Sequence, residues 1–242
     1  MTGRTFDARR IVVALDFPDA DSARVLLRQL DHSLCRVKIG KELFTRCGPA
    51  FVEEVVAQGF DVFLDLKYHD IPHTVSKAVA AAAELGVWMV NVHASGGREM
   101  MTAAVESVRA SSHKPLLIAV TVLTSMAAQD LQEVGVDASP MEQVRRLATL
   151  AKHSGMDGVV CSAQETAMLR QLLGHEFVLV TPGIRPAGDA ADDQKRIVTP
   201  EEAIAEGSHY LVIGRPIARA ENPGRKLAEI ASRLHGRFSD LC

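Results

Sequence analysis

What the sequence is short of narrows the field before any motif is read. Its four cysteines, Cys35, Cys47, Cys161 and Cys242, fall into no CxxC or metal-ligand spacing. They are too few and too scattered for a disulfide framework, so reduced thiols in a cytoplasmic protein are expected. Neither charge is in surplus: 27 Lys and Arg stand against 30 Asp and Glu, a formal charge of −3. Without a large basic patch, no nucleic-acid partner is expected. No apolar run approaches the roughly 18 residues of a membrane span, and the opening MTGRTFDARR lacks the apolar stretch of a signal peptide. No membrane partner is expected either. Internal repeats beyond a βα alternation, low-complexity tracts and dividing linkers are also missing.

What is there is a chain of 242 residues, 47% hydrophobic and 24% charged, with enough apolar side chains for a sizeable core. Short apolar, β-branched runs alternate with stretches of helical periodicity, which is the pattern of βα units around a parallel sheet. Eight runs read as strands, over 10–16, 35–40, 61–67, 88–94, 115–123, 158–163, 177–183 and 210–215. Helical segments read over 20–30, 49–58, 74–85, 98–110, 141–153, 164–173, 200–206 and 223–234. Pro72, Pro140 and the run Thr199-Pro200-Glu201-Glu202 punctuate helix starts. Eight such units in a chain of this length predict an α/β fold, a (β/α)8 TIM barrel forming a single domain over 1–242. The one long irregular segment runs from Gly183 to Thr199, and loops of that length in compact domains tend to be functional or disordered.

Active sites of such barrels form at the C-terminal ends of the strands, where polar side chains need a reason to be. On the first strand Val12, Ala14 and Asp16 share a face, and on the second Arg36, Lys38 and Gly40 do. The third ends in DLKYHD, Asp65 to Asp70. Asp65 and Lys67, two apart, project to one side, whereas Asp70 lies beyond the strand end and need not point into the same barrel. A row of Lys38, Asp65 and Lys67 is therefore expected, its alternating signs offsetting the cost of burying each charge. Such a row at a barrel mouth points to a tuned catalytic group, the alternative being that Asp65, Lys67 and Asp70 form a structural ion-pair network closing the barrel. His69, His73 and His93 have no metal-ligand spacing and read as helix-start or core histidines.

The last two units carry an anion signal. TPGIRP, Thr181 to Pro186, and IGRP, Ile213 to Pro216, each combine a glycine with an arginine after a strand. The loops after strands seven and eight of these barrels commonly hold phosphate, so the pair predicts a phosphate site. Gln194, inside the long loop, is placed to reach a ligand when that loop closes.

With VALD ending at Asp16, KIGKELF from Lys38, DLKYHDIPHT from Asp65 to Thr74, VTVLTSM around Thr124, DGVVCSAQE from Asp157, VTPGIRP and YLVIGRPI, the chain resembles the bacterial orotidine 5'-phosphate decarboxylases along nearly its whole length. The resemblance implies an enzyme that converts orotidine 5'-monophosphate to uridine 5'-monophosphate in pyrimidine biosynthesis, without cofactor or metal. It implies Lys67 as proton donor to C6, Asp65 facing the substrate carboxylate, Lys38 between Asp65 and the ribose, and Asp16 on a ribose hydroxyl. Thr124 is implied at the base, Thr74 among the substrate-binding residues, Arg185, Gly214 and Arg215 at the phosphate, and Gln194 bridging base and phosphate. A homodimer is also implied, with Asp70 crossing from the partner subunit to complete a Lys-Asp-Lys-Asp array. A magnesium-dependent sugar-phosphate decarboxylase or aldolase on the same barrel is the nearest alternative, and a catalytically silent phosphate-binding barrel the other.

Overall fold

The structure, a computed structural model, describes residues 9–186 and 198–238, with side chains described as far as position 234. Eight parallel strands, β1 (Ile11–Ala14), β2 (Cys35–Gly40), β3 (Val62–Tyr68), β4 (Met89–His93), β5 (Leu116–Val120), β6 (Gly158–Val160), β7 (Val178–Thr181) and β8 (Tyr210–Ile213), close into a barrel in sequence order. β8 pairs back onto β1, Ile11 opposite Leu211, so the sheet has no free edge. The helices are α1 (Ala20–Leu27), α2 (Lys41–Ala57), α3 (Pro72–Glu84), α4 (Gly97–Ala110), α5 (Ala128–Glu133), α6 (Pro140–His153), α7 (Ala163–Leu173), α8 (Pro200–Ala205), α9 (Arg215–Ala218) and α10 (Pro223–Phe238). The expected (β/α)8 barrel is the fold.

The strands are apolar runs because both of their faces are covered. Val12, Ala14, Phe63, Met89, Ile118, Val178, Val180, Tyr210 and Val212 pack inside the barrel. Their sequence neighbours, such as Ile11, Val13, Val62 and Leu64, join the helices in the larger outer cluster. Period-two alternation thus survives in direction even where no polar residue marks it. Gly158 is required where β6 and β7 meet, since a Cβ there would lie 2.2 Å from the Val178 carbonyl oxygen.

Several boundaries differ from expectation, each for a local reason. The observed strands are mostly shorter: β1 stops at Ala14 and β8 at Ile213, and the polar residues beyond them belong to the turns that carry the barrel mouth. Helical structure begins at Lys41 and not at Pro49, because two helical pieces abut at Gly48, whose φ of 68° and ψ of −170° break the first before Pro49 starts the second. α5 and α9 are one or two turns long, too short to show a period. The helix-start signals hold: Pro72 and Pro140 occupy the first turns of α3 and α6, and Thr199 caps α8 by accepting from the Glu202 amide.

The floor of the barrel, at the N-terminal ends of the strands, is closed by Arg36. Only 3% exposed, its guanidinium carbon lies 4.2 Å from the Trp88 ring centroid and 5.1 Å from that of Tyr210, while Nε donates to Asp61 Oδ2 at 3.1 Å. The rings themselves meet edge to face. Truncation removes this packing and the buried end of an ion pair whose other end, Asp61, is partly exposed and keeps Arg9 at 3.0 Å. Arg36→Ala is therefore expected to cost about 3 kcal/mol, mostly from the lost packing on the two rings. In a thermal melt this is a loss of about 6–12 °C in Tm, with the mouth chemistry untouched because it lies at the other end.

Candidate active site

At the C-terminal ends of β1, β2 and β3 the charged side chains form one chain of contacts. Asp16 Oδ1 lies 3.2 Å from Lys38 Nζ, Lys38 Nζ lies 3.5 Å from Asp65 Oδ2, and Lys67 Nζ donates to Asp65 Oδ1 at 2.6 Å. Signs alternate along the row. Lys38 and Asp65 side chains are each 11% exposed, against 67% for Asp16 and 25% for Lys67, so the row is open at both ends while its centre is nearly dry. These residues line a cleft of about 200 Å³ together with Gly40 and Lys41. Glycine at position 40 makes room for the Lys38 ammonium, which a Cβ would approach to 3.2 Å.

The third strand does not run straight into this site. β3 is in register with β4 at Leu64 opposite Val90 and again only at Tyr68 opposite Val92, four residues of one strand against two of the other. The excess is taken up at Lys67, the only non-glycine residue with positive φ, 53°, among the described residues. A side chain in that region costs free energy, and outliers of this kind cluster at functional sites. The bulge re-aims Lys67 so that its ammonium returns onto Asp65. Asn91, on β4, holds both ends: its Oδ1 accepts from the Lys67 amide at 2.8 Å, and its Nδ2 donates to Asp65 Oδ1 at 2.7 Å.

These contacts set the protonation of Asp65. Burial alone pushes its carboxyl up, but Lys38, Lys67 and the hydrogen bonds from Lys67 and Asn91 together hold it below the ordinary 3.8. Because the folded-state value is the lower one, the carboxylate stabilises the fold above pH 3.8, and that contribution is lost as pH falls through the depressed value. His93, whose ring centroid is 5.6 Å from that of His69, is shifted down, first by burial and then by His69, Lys41 and Lys67. Among the described residues no three His, Cys, Asp or Glu side chains are grouped as a metal ion would require.

On the opposite rim, the ends of β5, β6 and β7 enclose a second cleft of about 110 Å³, where Thr124 faces Ser162, Pro182, Gly183 and Ile184. The adjoining Arg185 is 4% exposed. Its Nε has no hydrogen-bond partner among the described residues, and Nη1 donates only over a long 3.4 Å to the neighbouring Ile184 carbonyl there. A guanidinium so placed is short of an anion. Its own amide donates to Val198 at 3.1 Å, and Ile184 bridges Val198, so the two ends of the long loop are stitched together at the mouth. Gly214 caps α9 and Arg215 begins it, both partly buried.

The structure therefore brings Asp16, Lys38, Asp65 and Lys67 into one array, and Thr124 beside the Arg185 segment. It leaves Asp70 and Thr74 outside. Asp70 is exposed, accepts from the Ile71 amide at 2.6 Å and makes no ion pair among the described residues. Thr74 is exposed in the first turn of α3, and Ile71 beside Asp70 is 66% exposed, unusual for an isoleucine. Gln194 lies outside the described residues. Asn91 escaped sequence reasoning, although a polar residue in the middle of the inward row of β4, between Met89 and His93, was a signal.

Known proteins share this arrangement of sequence and fold. The profile of the orotidine 5'-phosphate decarboxylase / HUMPS family matches residues 9–230. A protein of Saccharophagus degradans named orotidine 5'-phosphate decarboxylase is 60% identical over 225 residues, 93% of this chain and 94% of the relative. One of the same name from Chromobacterium violaceum is 63% identical over 213 residues, 88% of this chain and 86% of the relative. The crystal structure of orotidine 5'-phosphate decarboxylase from Lactobacillus acidophilus superposes with a TM-score of 0.85 at 39% identity, covering 93% of this chain and 99% of that one.

Proposed function

The chain belongs to the orotidine 5'-phosphate decarboxylase / HUMPS family, and from that premise we propose that it removes CO₂ from orotidine 5'-monophosphate to give uridine 5'-monophosphate, with Lys67 as the acid. The activity itself follows its relatives, which share about 60% of its residues over most of the chain. The observation that carries the mechanism is the Lys67 ammonium held 2.6 Å from Asp65 at one end of a charge row whose central members, Lys38 and Asp65, are nearly buried.

The reaction explains why such a row is useful. Breaking the C6–carboxylate bond leaves its electron pair on C6, in an orbital lying in the ring plane that the π system cannot delocalise. A cation fixed at C6 stabilises that charge as it develops, and Lys67 then transfers a proton from Nζ to C6, to be reprotonated by solvent. Its acid neighbours favour the ammonium form against the desolvation that opposes it. Asp65 faces the departing carboxylate, Lys38 joins Asp65 to the ribose, and Asp16 takes a ribose hydroxyl.

Across the mouth, Thr124 meets the base, and Arg185 with Gly214 and Arg215 holds the phosphate. The buried, under-partnered guanidinium of Arg185 supports that assignment. Gln194 contributes from the long loop, bridging base and phosphate, and the remote phosphate contacts drive closure and exclusion of water. Two subunits form the working unit: Asp70, exposed beside the exposed Ile71, reaches the neighbouring array, with Thr74 of the same segment serving substrate binding there.

Purified protein is expected to consume orotidine 5'-monophosphate, followed by its ultraviolet absorbance, at a rate unchanged by chelator. Loss of activity with a chelator and recovery with magnesium would favour a metal-dependent sugar-phosphate decarboxylase or aldolase. No turnover at all would leave a silent phosphate-binding barrel.

A further inference from the structure

We infer that Asn91 is a positioning residue for this reaction, one that fixes where the Lys67 ammonium points and keeps Asp65 ionised, without touching substrate. The inference rests on the decarboxylase reading above. Asn91 is completely buried, and its carboxamide is used at both ends by the two residues closest to the chemistry.

The orientation of the amide follows from its partners. The Lys67 N–H is a donor, so it must meet Oδ1; Nδ2 is then left to donate to Asp65 Oδ1. A flipped amide would set donor against donor and oxygen against carboxylate. In the observed sense the first bond satisfies a backbone amide that the bulge withdraws from regular pairing with β4, and so supports Lys67 at positive φ. The second shares Asp65 Oδ1 with Lys67 Nζ, so that oxygen accepts two hydrogen bonds and is poorly placed to carry a proton. One side chain thus couples the backbone position of the acid to the ionisation of its neighbour.

Around Asn91 stand Asp65 and Lys67 on β3, Lys38 on β2 and His93 on its own strand, while its register partner on β5 is the apolar Ile118. A near-isosteric change separates the two contacts. Asn91→Asp keeps an acceptor for the Lys67 amide, but when ionised it sets oxygen against Asp65. When protonated, the introduced carboxyl again presents one acceptor and one donor.

The test compares wild type with N91D and N91L, using circular dichroism for folding, uridine 5'-monophosphate affinity for the pocket, and kcat against pH. Folded N91D at neutral pH is expected to bind product within about fivefold of wild type and to lose about 10²-fold in kcat, as misplacement of a catalytic group does. Its activity relative to wild type at the same pH is expected to rise as pH falls, by up to about tenfold per unit, as the protonated fraction grows. Dividing by wild type removes the titrations that do not involve position 91, while the coupled carboxyls at 65 and 91 remain in the ratio. N91L, which lacks donor and acceptor, is expected to show a kcat deficit whose ratio to wild type does not recover in this way; if it fails to fold, N91D still decides. A folded N91D with wild-type kcat, or with a deficit independent of pH, overturns the inference alone. Absence of turnover by wild type overturns the decarboxylase reading with it.

Discussion

Replacing Lys67 by alanine is expected to leave a folded, nucleotide-binding protein whose decarboxylation has slowed by at least about 10⁴-fold. Folding should survive because Asp65 keeps partners: Lys38 Nζ at 3.5 Å and Asn91 Nδ2 at 2.7 Å remain to compensate its buried charge. Alanine at a φ of 53° is no better and little worse than lysine, since the penalty comes from the Cβ that both carry. Product affinity should change little, as Asp16, Lys38 and the Arg185 segment are untouched. The rate, in contrast, loses two contributions at once. A positioned general acid is worth about 10² to 10⁴ and a preorganised charge at the developing anion about 10² to 10³. Because one ammonium supplies both, they vanish together. The measurement is single-turnover decarboxylation beside calorimetric binding of uridine 5'-monophosphate, and near-normal turnover would remove Lys67 from its role.

Lysine alone would not make this site; its geometry does, and that geometry was only partly legible in the sequence. The eight strands could be read because a sheet covered on both faces demands unbroken apolar runs, as Ile11–Ala14 and Val178–Thr181 show. Sharing of a face by Asp65 and Lys67 followed from spacing and came out right for a different reason. The backbone between them bulges, and the ammonium returns to Asp65 through an unusual φ that no local sequence signal announces. Asn91 could be found only by asking which inward position of β4 was polar. The first half of α2 was hidden because Gly48 and Pro49 look like the start of one helix when they lie at the junction of two. Arg185 was visible as a residue after a strand, but its 4% exposure, the property that makes an anion necessary, belongs to packing among distant elements.

The same distinction governs Asp70, and mixing subunits is expected to expose it. Lys67→Ala and Asp70→Ala proteins, each inactive or nearly so alone, should regain activity when their subunits exchange. In a two-fold dimer, each array would take its own Lys67 and the partner's Asp70, so a mixed dimer holds one site with both substitutions and one with neither. Random exchange of equal amounts makes half the dimers mixed, and recovery should approach about one quarter of wild-type activity per site. The structure gives this arrangement a physical motive. Among the described residues of one chain the Asp70 carboxylate accepts from the Ile71 amide and forms no ion pair, while the adjacent exposed Ile71 offers apolar surface that a second copy could cover. A carboxylate arriving beside Lys67 from the partner would give that ammonium a second acid neighbour, favouring its charged form as the pocket dries. It would also make activity depend on dimer concentration, since diluted monomers would lack one member of the array. Light scattering and rate should then fall together on dilution. Mixed dimers verified by mass that remain inactive would place Asp70 outside the shared site.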